Sequence, residues 1–254
     1  MLNSTRQIQM KEFIEKQKNV TVQQLIEHFR VSDMTVRRDL VQLEKLGTFK
    51  RVHGGVVYTE DLEEDILLSI REDSHKPEKE RIAEKAVSLV LEGQSVLLDA
   101  GSTTLEIARK LLAQKNITVI TNAINIASLL SQNVNLQVIM TGGDVRHSTQ
   151  SLVGPTTVQF LRQLQVDHAF IGCSGLSQQR GLMNSNMVEG EVKRTMMTVT
   201  RHVYVVADHT KFEQTAFNRF AGWEHVDAVI STKQVKEEYQ REFQEKESPK
   251  LVLV

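Results

Sequence analysis

Three short stretches of small polar residues stand where apolar runs end: Asp99-Ala100-Gly101-Ser102-Thr103-Thr104, Thr121-Asn122 and Thr141-Gly142-Gly143. Glycine lets the backbone approach an anion closely. Serine and threonine ahead of a helix add hydroxyls to the open amides of its first turn. Such a set can cradle a phosphate. The same residues are also good strand-to-helix turn formers, so a single loop decides little. Three in succession favour a binding site outside the carboxyl ends of strands in an open α/β sheet.

A second concentration of chemistry lies near the start. VSDMTVRRDL puts Arg37 and Arg38 side by side and Asp39 directly after them. Ser32 is a good N-cap, so a helix is expected over 33–46, stopped by Gly47. Val36, Leu40, Leu43 and Leu46 make its buried stripe. Thr35, Arg38 and Gln42 fall on another stripe, with Asp33 and Arg37 beside it, so both arginines project outward. That face suits a DNA major groove, where arginine can donate two bonds to guanine or clamp a phosphate. The plainer reading is a solvated helix surface in which Asp39 and Glu44 pair with the arginines.

The flanking elements favour the groove. Residues 3–18 read as a helix with Ile8, Phe13 and Ile14 on one side. Residues 21–29 read as another, capped by Thr21, with Val22, Leu25, Ile26 and Phe29 at helical spacing. Two short helices joined by a tight turn form a helix-turn-helix pattern. TFKRVHGGVVYT then alternates around Gly54-Gly55 as a hairpin would, and Lys50, Arg51 and His53 on it would touch the phosphate backbone as a wing. The candidate DNA-facing set is therefore Ser32, Met34, Thr35, Arg37, Arg38, Gln42, Lys50, Arg51 and His53.

The net charge of −1 hides an asymmetry. Residues 1–57 carry five Lys and five Arg against six acids, a balance of +4, while residues 58–73 carry seven acids against Arg71, a balance of −6. We expect a DNA-binding domain at 1–57, an acidic linker at 58–76 and a larger domain at 77–254. In the last, Pro77 opens a helix that ends before Gly93. Seven buried runs follow: SVLLDAG, ITVITN, LQVIMTGG, DHAFIGCSG, HVYVVAD, DAVIST and KLVLV. They alternate with helical segments, as in a mostly parallel sheet covered on both faces, so the fold class is α/β.

Several functions are disfavoured. No apolar run approaches the roughly 18 residues of a membrane span, and the N-terminus lacks the apolar core of a secretory signal, which makes the cytoplasm the expected compartment. Cys173 is the single cysteine, so no internal disulfide can form; it reads as a small apolar residue. The histidines lack metal-binding spacing, and Asp208-His209 reads as coincidence. There is no P-loop and no GxGxxG. No cofactor is expected. An architectural DNA protein would not need a second domain of this size.

The segment VSDMTVRRDLVQLEKLGTFKRVHGGVV resembles the signature of the DeoR family of bacterial transcriptional regulators, with the likeness running over about residues 4–57. DAGSTT, VITN, GGDVR, SLVGP, AFIGCSGL, GLMNSNMVEGEVKR and VADHTKF extend it over about 78–232. The resemblance implies a winged helix-turn-helix reading operator DNA through Ser32, Thr35, Arg37 and Arg38, with Arg51 and His53 near phosphate. Asp39 is expected to orient Arg37 or Arg38.

The resemblance also implies a sensor domain for a phosphorylated sugar, related in fold to ribose-phosphate isomerases. Phosphate would sit near Asp99, Gly101, Ser102, Thr103 and Thr104, with Thr121, Asn122, Gly142 and Gly143 lining the pocket. Glu189, Lys193, Asp208 and Lys211 would contribute charge, although Glu189 and Lys193, four residues apart, also read as a helix-surface pair. The rival reading is a phosphosugar isomerase. It needs a placed base, and FIGCSGL offers no carboxylate; only Glu189 with Lys193 could serve. The expectation is a non-enzyme: a repressor of a carbohydrate operon, working as a homo-oligomer, dimer or tetramer, since one small head needs a second on a repeated half-site.

Overall fold

The computed structural model describes residues 5–44, 49–52, 54–58, 68–245 and 249–254. The chain forms two compact units, Met1–Ser74 and His75–Val254. Residues 45–48, His53 and residues 59–67 lie outside the described residues, so the expected stop at Gly47, Leu46 of the stripe, His53 of the wing and most of the acidic stretch do too. The side chains of Lys50 and Arg51 are likewise outside them.

The first unit runs α1 (Thr5–Gln17), β1 (Asn19–Thr21), α2 (Val22–Phe29), α3 (Asp33–Glu44), β2 (Phe49–Val52), β3 (Gly55–Tyr58) and α4 (Leu68–Asp73). Thr21 caps α2 as expected, in a reciprocal box with Gln24. β2 and β3 pair antiparallel with Val52 opposite Gly55, so Gly55 is already strand and the turn falls one residue earlier than a Gly54-Gly55 centre; Gly54 takes φ +89°. β1 adds a third strand, giving the order β1-β3-β2. Nothing in the periodicity marks it, because three residues carry no period.

Met10, Ile14, Leu25, Val36, Leu40, Leu43, Phe49 and Val56 form the core of this unit. Ile8 is not among them. It is 45% exposed, and Met10 takes the buried place because 10 and 14 share a face that 8 does not. Phe13 is half-buried, stacked on His28 with ring centroids 4.1 Å apart.

Asp39 departs from expectation. It is buried, and its carboxylate accepts from Arg6 Nε at 2.7 Å and from Gln7 Nε2 at 3.0 Å, both on α1. It therefore clasps α3 to α1 instead of orienting Arg37 or Arg38. The reason is geometric: 36, 39, 40 and 43 share one helix face, so residue 39 must point inward beside the leucines. Burial pushes its pKa up, but the bonds from Arg6 and Gln7, helped by the charges of Arg6 and Arg38, outweigh that and hold it below the ordinary aspartate value.

The second unit begins with α5 (Lys76–Val87), which has Pro77 in its first turn. Then follow β4 (Ser95–Leu98), α6 (Ser102–Leu111), β5 (Ile117–Thr121), α7 (Ile124–Leu130), β6 (Leu136–Met140), β7 (Asp144–Arg146), β8 (Ser151–Val153), α8 (Pro155–Leu161) and β9 (Val166–Ile171). The chain continues through β10 (Gly175–Ser177), β11 (Gly181–Asn184), α9 (Met187–Thr198), β12 (Thr200–Val206), a short 3-10 helix (His209–Glu213), β13 (Asn218–Ala221), β14 (Ala228–Ser231), α10 (Glu237–Gln244) and β15 (Lys250–Leu253).

The seven expected runs become one parallel sheet in the order β15-β14-β12-β9-β4-β5-β6. From β4 the chain winds outward through β5 and β6, returns to β9 beside β4, and winds outward the other way. Val96, Leu98, Val119, Phe170 and Val206 face a core with α5, α6 and α7, while Leu97, Ala169, Ile171 and Val205 face one with α8, α9 and α10. Alternate residues thus feed opposite layers, which is why these strands read as continuous apolar runs. The small antiparallel pieces β7-β8 and β10-β11-β13 were not expected; their strands are too short to carry a period.

Replacing Arg6 with alanine leaves the buried Asp39 carboxylate without its main partner. We expect a loss of about 1.5–3 kcal/mol in the first unit, read as faster amide exchange at Leu40 and Leu43. Because the folded pKa of Asp39 is depressed, its contribution in the native chain is complete above about pH 4 and is lost as pH falls through the depressed value.

Candidate functional site

In the first unit, the turn between α2 and α3 uses Arg30 in the left-handed region (φ +51°) to close α2. Ser32 caps α3: its backbone oxygen accepts from Val36 N, and its hydroxyl lies 2.9 Å from Thr35 Oγ1. With Val36, Asp39, Leu40 and Leu43 held inward, Ser32, Met34, Arg37, Arg38 and Gln42 are exposed, Met34 to 81%, and Thr35 is half-buried. Six of the nine candidate DNA-facing residues are thereby gathered on one helix and its cap.

The two arginines differ. Arg37 forms an ion pair with Asp33 one turn earlier, which restrains its guanidinium. Arg38 makes no hydrogen bond among the described residues. Asp33, not Asp39, is therefore the residue that orients an arginine on this face.

In the second unit, Asp99, Lys193 and the start of α6 lie where β4 and β9 sit side by side and the winding reverses, whereas Gly142 and Gly143 follow the edge strand β6. Asp99 follows β4 and Gly172 follows β9. Lys193 of α9 reaches between them, pairing with Asp99 Oδ2 and donating to Gly172 O at 3.2 Å, while Gly172 N donates to the same Asp99 Oδ2 at 3.1 Å. Asp99 and Lys193 are both buried. Burial drives the Asp99 pKa up against the pull of Lys193, and the Glu189 charge adds to the rise. Asp99 Oδ1 is buried with no hydrogen-bond partner among the described residues.

Three residues on, α6 begins. Its first internal backbone bond runs from Leu105 N to Gly101 O, so the amides of Ser102, Thr103 and Thr104 have no acceptor within the helix. Gly101, at the cap position, has no side chain to cap them, and no other side chain does so among the described residues. Thr104 Oγ1 is committed to Gly101 O at 2.9 Å, whereas the hydroxyls of Ser102 and Thr103 make no hydrogen bond among the described residues.

The other loops are braces to different degrees. Thr121 Oγ1 donates to Leu98 O at 2.8 Å and accepts from Ala123 N at 3.0 Å, and the residue is fully buried. Its hydroxyl proton is therefore committed to the strand turn. Asn122 Nδ2 donates to Leu152 O at 3.0 Å, leaving Oδ1 buried and unpartnered. Gly142 and Gly143 have positive φ, +69° and +126°. At Gly143 a Cβ would lie 2.1 Å from Thr157 Oγ1 and 2.6 Å from Val153 O, so only glycine fits.

The remaining charged candidates divide. Glu189 is buried and accepts from Asn184 Nδ2 at 3.0 Å. With Lys193 buried on Asp99, the two are not a helix-surface pair. Asp208 caps the 3-10 helix through Thr210 N at 3.0 Å. Burial raises its pKa, but the Lys211 charge and the Thr210 bond, with Lys79 and His75, hold it below the ordinary value. Lys211 is half-buried, 3.2 Å from Gln214 Oε1. Burial pushes the Cys173 thiol up to about 12, which keeps it protonated and unreactive at neutral pH.

Asn184, Ser151 and Lys79 belong to this region, and sequence reasoning missed them; they come from separate segments with no shared spacing. A depression of about 650 Å³ lined by Glu92, Gln114, Lys115 and Asn133 lies at the opposite, N-terminal ends of the strands. It gathers none of these groups. No helix among the described residues is long and apolar enough to cross a membrane.

Comparison with known proteins agrees with this division. Residues 6–61 match the DeoR-like helix-turn-helix domain, and residues 74–233 match the DeoR C terminal sensor domain. The chain is 34% identical over 234 residues to the transcriptional repressor AccR of Agrobacterium fabrum, covering 91% of each. It is 36% identical over 242 residues to the HTH-type transcriptional regulator FruR of Bacillus subtilis, covering 94% of each. With the glycerol-3-phosphate regulon repressor of Escherichia coli it shares 31% identity over 220 residues, 87% of each. Among solved structures, ribose 5-phosphate isomerase A of Methanocaldococcus jannaschii overlaps 55% of each chain at a TM-score of 0.41 and 18% identity, too partial an overlap to support any conclusion.

Replacing Lys193 with methionine strands a buried carboxylate. We expect the second unit to lose about 3–5 kcal/mol, measured by urea unfolding followed through Trp223. Adding Asp99→Asn to the same chain should recover much of the loss.

Proposed function

The chain belongs to the DeoR family of transcriptional regulators and is a DNA-binding regulator, not an enzyme; from that premise we propose that it represses a carbohydrate operon in the cytoplasm and that a phosphorylated sugar controls its grip on the operator. The first turn of α6 carries this reading: three amides without helical acceptors and two uncommitted hydroxyls, next to a buried ion pair at the point where the winding reverses. Amides at a helix start favour a dianion such as a phosphate monoester. The name of the Escherichia coli relative, a glycerol-3-phosphate regulon repressor, supports the same ligand class.

In this reading Gly101, Ser102, Thr103 and Thr104 take the phosphate and Lys211 adds positive charge. Gly142 and Gly143 form a backbone wall. Asp99 Oδ1 and Asn122 Oδ1, both unpartnered, accept from sugar hydroxyls. Lys193 neutralises Asp99, and Glu189 and Asp208 shape the polar surroundings; Thr121 braces the loop.

On DNA, α3 lies in the major groove with Ser32, Met34, Thr35, Arg37, Arg38 and Gln42 toward bases and phosphates, and Lys50, Arg51 and His53 touch the backbone as a wing. One such head is a small recognition surface, so the working form is a homo-oligomer, dimer or tetramer, on repeated half-sites. Effector binding shifts the population toward a state that releases DNA, by no more than its differential affinity for the two states.

Fluorescence anisotropy on the chain's own promoter DNA tests both halves. The Arg37→Ala, Arg38→Ala double variant should lose about 1–3 kcal/mol of binding per arginine while its second unit melts unchanged. A phosphorylated sugar should release DNA from the native chain, and its unphosphorylated counterpart should not. Lys211→Ala should blunt that response with basal DNA binding intact. Unaltered operator affinity in the double variant would refute the DNA face, and equal action of phosphorylated and plain sugars would refute the phosphate site.

A further inference from the structure

We propose that His75, Glu78 and His209 form a binding site for a divalent transition metal ion of the zinc class. The three donors come from two separate segments: His75 and Glu78 from the cap and first turn of α5, and His209 from the segment after β12. His75 Nδ1 lies 3.1 Å from Glu78 Oε1, and His209 Nδ1 lies 3.0 Å from the same Oε1 and 2.9 Å from Oε2. One atom from each residue falls within 4.8 Å of the others.

These separations suit a shared ion. With metal–ligand bonds of about 2.0–2.2 Å, the edges of a tetrahedron of N and O donors come to about 3.3 Å. Two imidazoles and one carboxylate are the borderline-soft set that zinc and its neighbours prefer over calcium or magnesium. The two rings stand perpendicular with centroids 5.0 Å apart, so both approach one carboxylate without stacking on each other.

The carboxylate is itself oriented. Thr232 Oγ1 donates to Glu78 Oε2 at 2.6 Å, which fixes the carboxylate with His209 Nδ1 astride both oxygens and His75 Nδ1 beside Oε1. Hydrogen bonds of this kind fix ligating carboxylates in known metal sites. Asp208, next to His209 in sequence, is spent on capping the 3-10 helix, so the partner of His209 is Glu78 and not its neighbour. The Glu78 side chain is 9% exposed, against 31% for His75 and 26% for His209. The ring side is therefore open enough for an ion to enter and to keep a solvent ligand in a fourth position.

No local motif announces the set, since the intervals are 3 and 131 residues. Its consequence would be structural. An ion here ties the first turn of α5 to the segment carrying Asp208 and Lys211 and, through Thr232, to the end of β14. The site stands independently of the sugar-phosphate reading.

The test uses the full chain, stripped with chelator and titrated with cobalt(II) and then zinc(II). We expect the visible absorption of tetrahedral cobalt at one equivalent per chain, its displacement by zinc, and a higher melting temperature with either ion. His75→Ala and His209→Ala should each abolish the absorption and the thermal shift, whereas His147→Ala and His225→Ala should retain both. The melting temperature of each stripped variant shows that it is folded. A native chain without cobalt absorption or thermal shift, or cluster variants that keep both, would overturn the site and leave the three residues as a hydrogen-bonded brace.

Discussion

Lys193 and Asp99 hold the second unit together at the place where it is most exposed to failure. A doubly wound sheet splits at its switch point, because the segments leaving the two central strands depart in opposite directions and leave a crevice. Here Asp99 directly follows β4 and Gly172 directly follows β9, and the Lys193 ammonium bonds to both. Each charge is buried, so neither is tolerable without the other. The pair fixes α9 against the sheet and sets the direction in which the chain leaves β4, which in turn aims the first turn of α6. It uses only one oxygen of Asp99. The other remains a buried acceptor with no partner among the described residues, and a hydroxyl donor is what it lacks.

The same economy appears in α3. That helix is locked to its own unit on one side and exposed on the other. Val36, Leu40 and Leu43 supply the apolar half of the lock, and Asp39 supplies a polar half through Arg6 and Gln7. On the outer face the Asp33–Arg37 pair restrains one guanidinium, while Arg38 makes no hydrogen bond among the described residues. The acid directly after the arginine pair thus serves the core, and the acid four residues before Arg37 pairs on the exposed face. Charge near the arginines does not by itself say which role an aspartate plays; helix phase does.

Phase also explains how much of the fold was legible. The seven strands were readable because each side of the sheet is buried, so each strand is a continuous apolar run with small polar residues at its exit. Thr21 and Ser32 were readable as caps because side-chain capping is local in sequence. The strand at 19–21 and the small antiparallel pieces were not, since three or four residues cannot express a period. Asp39 could have been found: 36, 39, 40 and 43 are one face. The bond of Lys193 to Asp99 spans 94 residues, and that of Glu78 to His209 spans 131, and no local spacing encodes either. The internal bonds of Thr121 were hidden for a related reason. Its type suits a ligand loop, but its hydroxyl is consumed inside the strand turn, and only the coordinates of Leu98 and Ala123 reveal that.

The commitments of side-chain atoms also narrow what the sensor can do. Thr104 and Thr121 already donate their hydroxyl protons within the unit, so donating them to a ligand would first break an internal hydrogen bond, at about 0.5–1.5 kcal/mol each. Ser102, Thr103, the first amides of α6, Asp99 Oδ1 and Asn122 Oδ1 cost nothing of that kind to engage. A ligand that presents an anion at one end and hydroxyl donors at the other satisfies both groups at once. A neutral sugar leaves the helix start unmatched, and a bare phosphate leaves the two buried acceptors unpaired. On the function proposed for this unit, selectivity for a phosphorylated polyol over either fragment would rest on which polar atoms the fold has left unused.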